Sequence, residues 1–221
     1  MLSFSPVLRT ASLLGLCLCL LSASASAGYK PRPWSPRTPD SYPARLTSEK
    51  VTIAAEPLIL DARAAQVFDK NDMVTAGIMP LAIVIFNDND FPVRVAADSI
   101  ELIEEGEHLH SLSPGEAVSE LFKKGRRKSY GVPDSRLPGS RDSGNPEAMR
   151  DFELKFLGTK VVPAHGKEGG FLYIHPPMND LRGYLSKARI YIPDIYREDN
   201  GSRLIFFEFD LKPVIDNPRT K

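Results

Sequence analysis

The sequence predicts a mainly β protein: an immunoglobulin-like antiparallel β-sandwich with a two-helix insertion between strands. Three observations predict it. The chain carries about eight short apolar runs that alternate or are rich in β-branched residues. These runs cluster toward the two ends of the folded region, with two capped helical patterns between them, and no internal repeat is present. The chain is also large enough to hold a core without staples, because its two cysteines, Cys17 and Cys19, both fall in an apolar leader.

The leader comes first. Arg9 is the only charged side chain before Lys30, "LLGLCLCLL" (Leu13–Leu21) is an apolar core, and "SASASAG" follows. Ala25 and Ala27 occupy the small-residue positions of a signal-peptidase site, which places the cut between Ala27 and Gly28. The apolar core is well short of the roughly 20 residues a membrane span requires. Leu16 and Leu18 precede the two cysteines, where lipoprotein processing wants a small residue. A segment retained as an anchor is the alternative to cleavage. The expected route is Sec export, to the periplasm or the extracellular space.

Residues 28–50 hold five prolines, which deny donors to a helix or a central strand and predict an extended tether, with Trp34 pinning it to the domain. A single domain is expected over 51–217. "VTIAAEPLIL" alternates and breaks at Pro57, as an edge or kinked strand does. Asp61 is expected to cap a short helix that folds Phe68 onto the sheet. "IMPLAIVIF" is apolar on both faces, the mark of a strand buried on both sides. "NDND" (Asn87–Asp90) invites a calcium reading, but counting from Asp88 puts Val93 and Ser99 where an EF-hand needs glycine and glutamate, so a turn is expected. "PVRVAADSIELIEE" and "HLHSL" make a hairpin about Gly106.

The helical insertion is expected over 113–158. Ser113, Pro114 and Glu116 form a capping-box start, and Asn145 and Pro146 open a second helix with Met149, Phe152 and Phe156 on one face. Between them, at about 125–145, lies a breaker-rich segment expected to be a mobile surface loop. "FLYIHPP", "KARIYIPDIY" and "RLIFFEFDL" return to strands, the last with Ile205, Phe207, Phe209 and Leu211 on one face.

Taken in order, "AAEPL", "FDKND", "GIMPLAIVIFNDND", "DFELKFL", "GFLYIHPP" and "FFEFDL" resemble a family of uncharacterised secreted bacterial proteins with an immunoglobulin-like sandwich. The likeness spans roughly 51–211, apart from the basic segment. It implies export and a β-rich fold, and it brings no catalytic residue.

Candidate chemistry is sparse. No GxSxG elbow, HExxH helix or P-loop occurs, and the mature chain has no thiol, so no catalytic residue and no cofactor is assigned. His108 and His110 share a strand face and could reach one zinc or copper ion if His165, His175 or a carboxylate joined them, which makes a metal-dependent protein an alternative. The strongest charge feature is Lys123, Lys124, Arg126, Arg127 and Lys128, with Arg136 and Arg141; Asp134 is the only acid over 123–141. The leader takes one cation, Arg9, out of 28, leaving 27 against 28 acids, so the chain is no globally basic nucleic-acid binder. The expected function is an exported, non-catalytic binding or interaction domain of the cell envelope. Its expected partner is an envelope protein or a polyanion, with membrane contact at most peripheral through the basic segment. The alternative beside the metal reading is a structural envelope component.

Overall fold

The computed structural model describes residues 28–122 and 145–217. Eleven strands are present among them: β1 (Ala44–Ser48), β2 (Val51–Pro57), β3 (Met79–Asn87), β4 (Val93–Val95), β5 (Glu101–Glu104), β6 (Glu107–Leu109), β7 (Lys160–Val162), β8 (Gly166–Ile174), β9 (Arg189–Ile192), β10 (Ile195–Arg197) and β11 (Phe207–Asp210). The helices are α1 (Asp61–Ala64), α2 (Pro114–Leu121), α3 (Pro146–Lys155), α4 (Leu181–Lys187) and α5 (Lys212–Asp216). The strands form three antiparallel sheets, in the orders β1-β2-β3-β8, β10-β4-β7 and β11-β9-β5-β6.

The architecture follows from β3, whose nine residues are all buried. Successive side chains of a strand point to opposite faces. Met79, Leu81, Ile83 and Ile85, joined by Ile53, Leu172 and Ile174 of the neighbouring strands, pack on residues of the two smaller sheets, among them Val93, Leu102, Val162, Ile190 and Phe207. The other face carries Ala82, Phe171 and Tyr173, and these meet Phe68, Met73, Val118, Ala148 and Phe152 from α1 to α3 and the segment after α1. Farther along that face Ala54, Val84 and Phe86 lie under Tyr42 and Trp34. The β1-β2-β3-β8 sheet is therefore a middle layer, with the two sheets of shorter strands below and helices above.

This corrects the expected fold class. The molecule is a mixed α/β fold whose sheets are neither closed nor curled, not an immunoglobulin-like antiparallel β-sandwich, and the resemblance to a secreted sandwich family falls with it. The physical reason lies in the even-numbered residues of β3. A two-sheet sandwich leaves each sheet one wet face, whereas here both faces of β3, and of the Phe171–Ile174 half of β8, are apolar and need cover. The helices supply that cover, so they belong to the core rather than forming an excursion from it. The remaining apolar runs are broken by Pro92, Pro163 and Pro193 into strands of three or four residues, which group into two small sheets.

Several local expectations meet the structure directly. Ser113 and Glu116 form a reciprocal capping box on α2, and the Asn145 side chain accepts from the Ala148 N–H at 3.0 Å to start α3. Glu105 and Gly106, at φ 46° and 86°, turn β5 into β6. Asp61 does something else: Leu60 occupies the cap of α1, and the Asp61 carboxylate accepts from the N–H groups of Val74 (2.7 Å) and Thr75 (3.2 Å), fastening the turn before β3.

Candidate functional site

Asn87–Asp90 is a corner that ties three turns together. Asn87, fully buried, donates its amide to the carbonyls of Phe91 (2.8 Å), Val162 (3.2 Å) and Pro163 (3.0 Å). Its Oδ1 accepts from the Asn89 N–H at 3.1 Å, and Asn89 reaches Glu49 C=O at 2.9 Å in the β1–β2 turn. Asp88 N–H adds a bond to Lys50 C=O at 2.8 Å. The amides are spent on main-chain carbonyls, which a cation site would need to leave free.

The four histidines sit at the surface. His108 and His110 do share a side, and both address Glu101, His108 Nδ1 at 2.7 Å and His110 Nε2 at 3.9 Å. His165 meets Asp90 at 3.0 Å and His175 meets Glu120 at 3.7 Å. Among the described residues no group of three or more His, Cys, Asp or Glu side chains is placed to hold a metal ion. The metal reading of His108 and His110 has no support in this geometry. Of the expected cut, Gly28 is described and Ala27 is not; the basic residues Lys123, Lys124, Arg126, Arg127 and Lys128 lie outside the described residues.

The arrangement with the most chemistry was not read from the sequence. Residues 29–37 form a strap over the helical layer. The Tyr29 hydroxyl donates to Asp151 at 2.6 Å, and Lys155 Nζ donates to both oxygens of the same carboxylate at 2.6 Å and to Val67 C=O at 2.8 Å. Asp151 is 4% exposed. Burial raises the Tyr29 phenol far above its ordinary value, and the Asp151 carboxylate raises it further. Burial pulls the Lys155 ammonium down, opposed by its bonds to Asp151. Farther along the strap, Arg32 pairs with Asp69 at 3.0 Å, Trp34 packs on Phe171 at 4.7 Å between ring centroids, and Arg37 pairs with Glu56 at 2.5 Å.

The only signal for the Tyr29–Asp151–Lys155 cluster was an acid and a base four residues apart beside the α3 apolar stripe. Tyr29 is 122 residues from Asp151 in sequence, and no local pattern joins them.

Two open grooves follow the strap. One, of about 500 Å³, is lined by Tyr29, Lys30, Glu147, Arg150, Asp151 and Leu154. The other, of about 380 Å³, runs from Trp34 past Leu154 to Lys160 and Lys167. Leu154, on both, is 73% exposed.

No family model matches the chain, and no curated protein does. Among solved structures, the ycdA protein from Bacillus subtilis subsp. subtilis str. 168 is 9% identical, with a TM-score of 0.37 over 76% of this chain. This chain spans 38% of that protein's length. The yjhA protein from Bacillus subtilis is 7% identical, with a TM-score of 0.36 over 67% of this chain and 78% of that one.

Proposed function

We propose that the chain is an exported, non-catalytic binding domain of the cell envelope that contacts an anionic surface through Lys123, Lys124, Arg126, Arg127 and Lys128. One observation carries the reading. Five cations fall within six residues, 123–128, of the sequence; Phe122, the last described residue before them, packs edge-on against Tyr29 at 6.0 Å. Like charges close together in sequence raise the local potential even when the whole chain is neutral. Export is supported by the leader read from the sequence.

The test is co-sedimentation with vesicles containing phosphatidylglycerol, beside neutral vesicles, over a range of salt. Binding is expected to the anionic vesicles alone, to fall steeply with ionic strength, and to vanish when the five basic residues are replaced by glutamine. Binding that ignores salt, or survives the replacement, overturns the reading. N-terminal sequencing of the exported protein is expected to begin at Gly28.

A further inference from the structure

The sequence has seven asparagines, and their surroundings sort them by how readily the side-chain amide is attacked by the next main-chain nitrogen. Asn87 and Asn89 are buried, with amides that donate to main-chain carbonyls. Asn145 and Asn217 precede prolines, whose nitrogen has no proton to release. Asn71 and Asn179 precede aspartates, where a Cβ crowds the approach and the carboxylate disfavours an amide anion. Asn200 alone precedes a glycine.

Asn200 lies in the turn after β10, which is closed by the bridge between Tyr196 and Arg203 and by Arg197 N–H donating to Ser202 C=O at 2.9 Å. Asn200, Gly201 and Ser202 are all exposed. Gly201 adopts φ 69°, and no atom lies within 4 Å of the place a Cβ would take, so the space beside its nitrogen is open. Ser202 aims two donors at Asn200 Oδ1, its N–H at 2.9 Å and its hydroxyl at 2.7 Å. Donors placed on a carbonyl oxygen stabilise the negative charge that gathers there when a nucleophile adds to the carbon. Among the described residues no partner holds Asn200 Nδ2, the group that must leave. The bond that opposes attack is Gly201 N–H to Arg197 C=O at 2.9 Å, and releasing such a bond in an exposed turn requires only local opening.

We propose that Asn200 is a site of self-modification, where the Gly201 nitrogen displaces the side-chain amide and asparagine becomes aspartate or isoaspartate through a cyclic imide. Gly201 N loses its proton to solvent and its electron pair forms a bond to Asn200 Cγ. The Cγ=O pair moves onto Oδ1 and returns as the Cγ–Nδ2 bond breaks, and ammonia departs with a proton from water. Water then adds to either carbonyl of the ring and opens it. One water enters and one ammonia leaves, with nothing oxidised or reduced. Either product places a new negative charge beside Asp199, which Arg197 already holds at 2.6 Å. Isoaspartate also lengthens the main chain of the turn by one carbon. The inference stands apart from the envelope contact proposed above.

The test keeps the purified protein in warm, mildly alkaline water enriched in heavy oxygen, beside a synthetic peptide of residues 196–204. Mass spectrometry with fragmentation that separates aspartate from isoaspartate follows both. Asn200 is expected to convert before the other six asparagines, to take up one heavy oxygen, and to yield both products. Asn200→Gln, which needs a larger ring, should leave the turn unmodified over the same period with an unchanged melting temperature. Ser202→Ala should slow conversion roughly 2- to 10-fold, the worth of one hydrogen bond to the developing charge. Aspartate without isoaspartate marks direct hydrolysis and overturns the proposal. So does an intact Asn200 after the peptide has converted, another asparagine converting first, or a Ser202→Ala rate equal to or above that of the wild type.

Discussion

The two faces of β3 are buried to the same degree and by different means. Below, aliphatic side chains of three sheets mesh around Leu81, Ile83 and Ile85, with no buried charge. Above, Phe68, Phe152, Phe171 and Tyr173 interlock at centroid distances of 4.8 to 6.0 Å, and a buried Tyr29–Asp151–Lys155 cluster closes the layer. Sheets laid on sheets satisfy their own main chains, so the lower core needs only shape. The upper core is assembled from helix ends, a turn and a proline-rich strap, where Lys155 meets the Val67 carbonyl and the Tyr173 hydroxyl adds a second bond to the Phe152 carbonyl, which also accepts from Phe156 N–H. Hydrogen-bonding reach substitutes there for strand pairing.

The sharpest way to break the upper face is Asp151→Ala, which strands the Lys155 ammonium in an apolar setting. A loss of about 3–5 kcal/mol is expected from chemical denaturation. Leu81→Ala, on the lower face, removes packing without exposing a charge and should cost about 2–5 kcal/mol, with no change in the pH dependence of stability.

Asn87→Ala should cost about 1–3 kcal/mol, because three carbonyls lose one shared donor. Tyr29→Phe should cost a similar 1–3 kcal/mol and also alter the alkaline limb. The folded state holds the Tyr29 phenol neutral far above the value of about 10 it has when unfolded. Its contribution is therefore full below that pH and lost as pH climbs beyond it, so the wild-type chain should lose stability more steeply above pH 10 than the phenylalanine variant.

The smallest effect sharpens the comparison from the lower side. The Tyr184 hydroxyl is the one buried side-chain polar atom without a partner among the described residues, and burial, followed by Glu107 and Glu104, raises its phenol to about 12. Tyr184→Phe should be neutral or stabilising by up to about 1 kcal/mol by thermal melting.

Local physics was legible in the sequence wherever one run of residues contained all the parties. The burial of "IMPLAIVIF" on both faces, the Ser113–Glu116 capping box, the Asn145 cap and the turn at Gly106 each depend on neighbours within a few positions. The fold class was not, since alternation shows that a face is apolar without showing whether a sheet or a helix covers it. The apolar even face of β3 was the clue, and counting strands obscured it. Asp61 shows the same limit: an acid before an alanine-rich turn reads as a cap, yet its partners lie at Val74 and Thr75. Of the candidate site, the histidine pair and its shared side were legible, whereas the strap cluster depends on segments brought together only by the fold.

Residues 29–37 are part of the folded core, and urea titration followed at once by Trp34 fluorescence and far-ultraviolet circular dichroism tests this most directly. Coincident midpoints are predicted, because Trp34 leaves Phe171 only when the layer beneath it opens. Exposure of Trp34 at lower urea, with the secondary structure still intact, would contradict it.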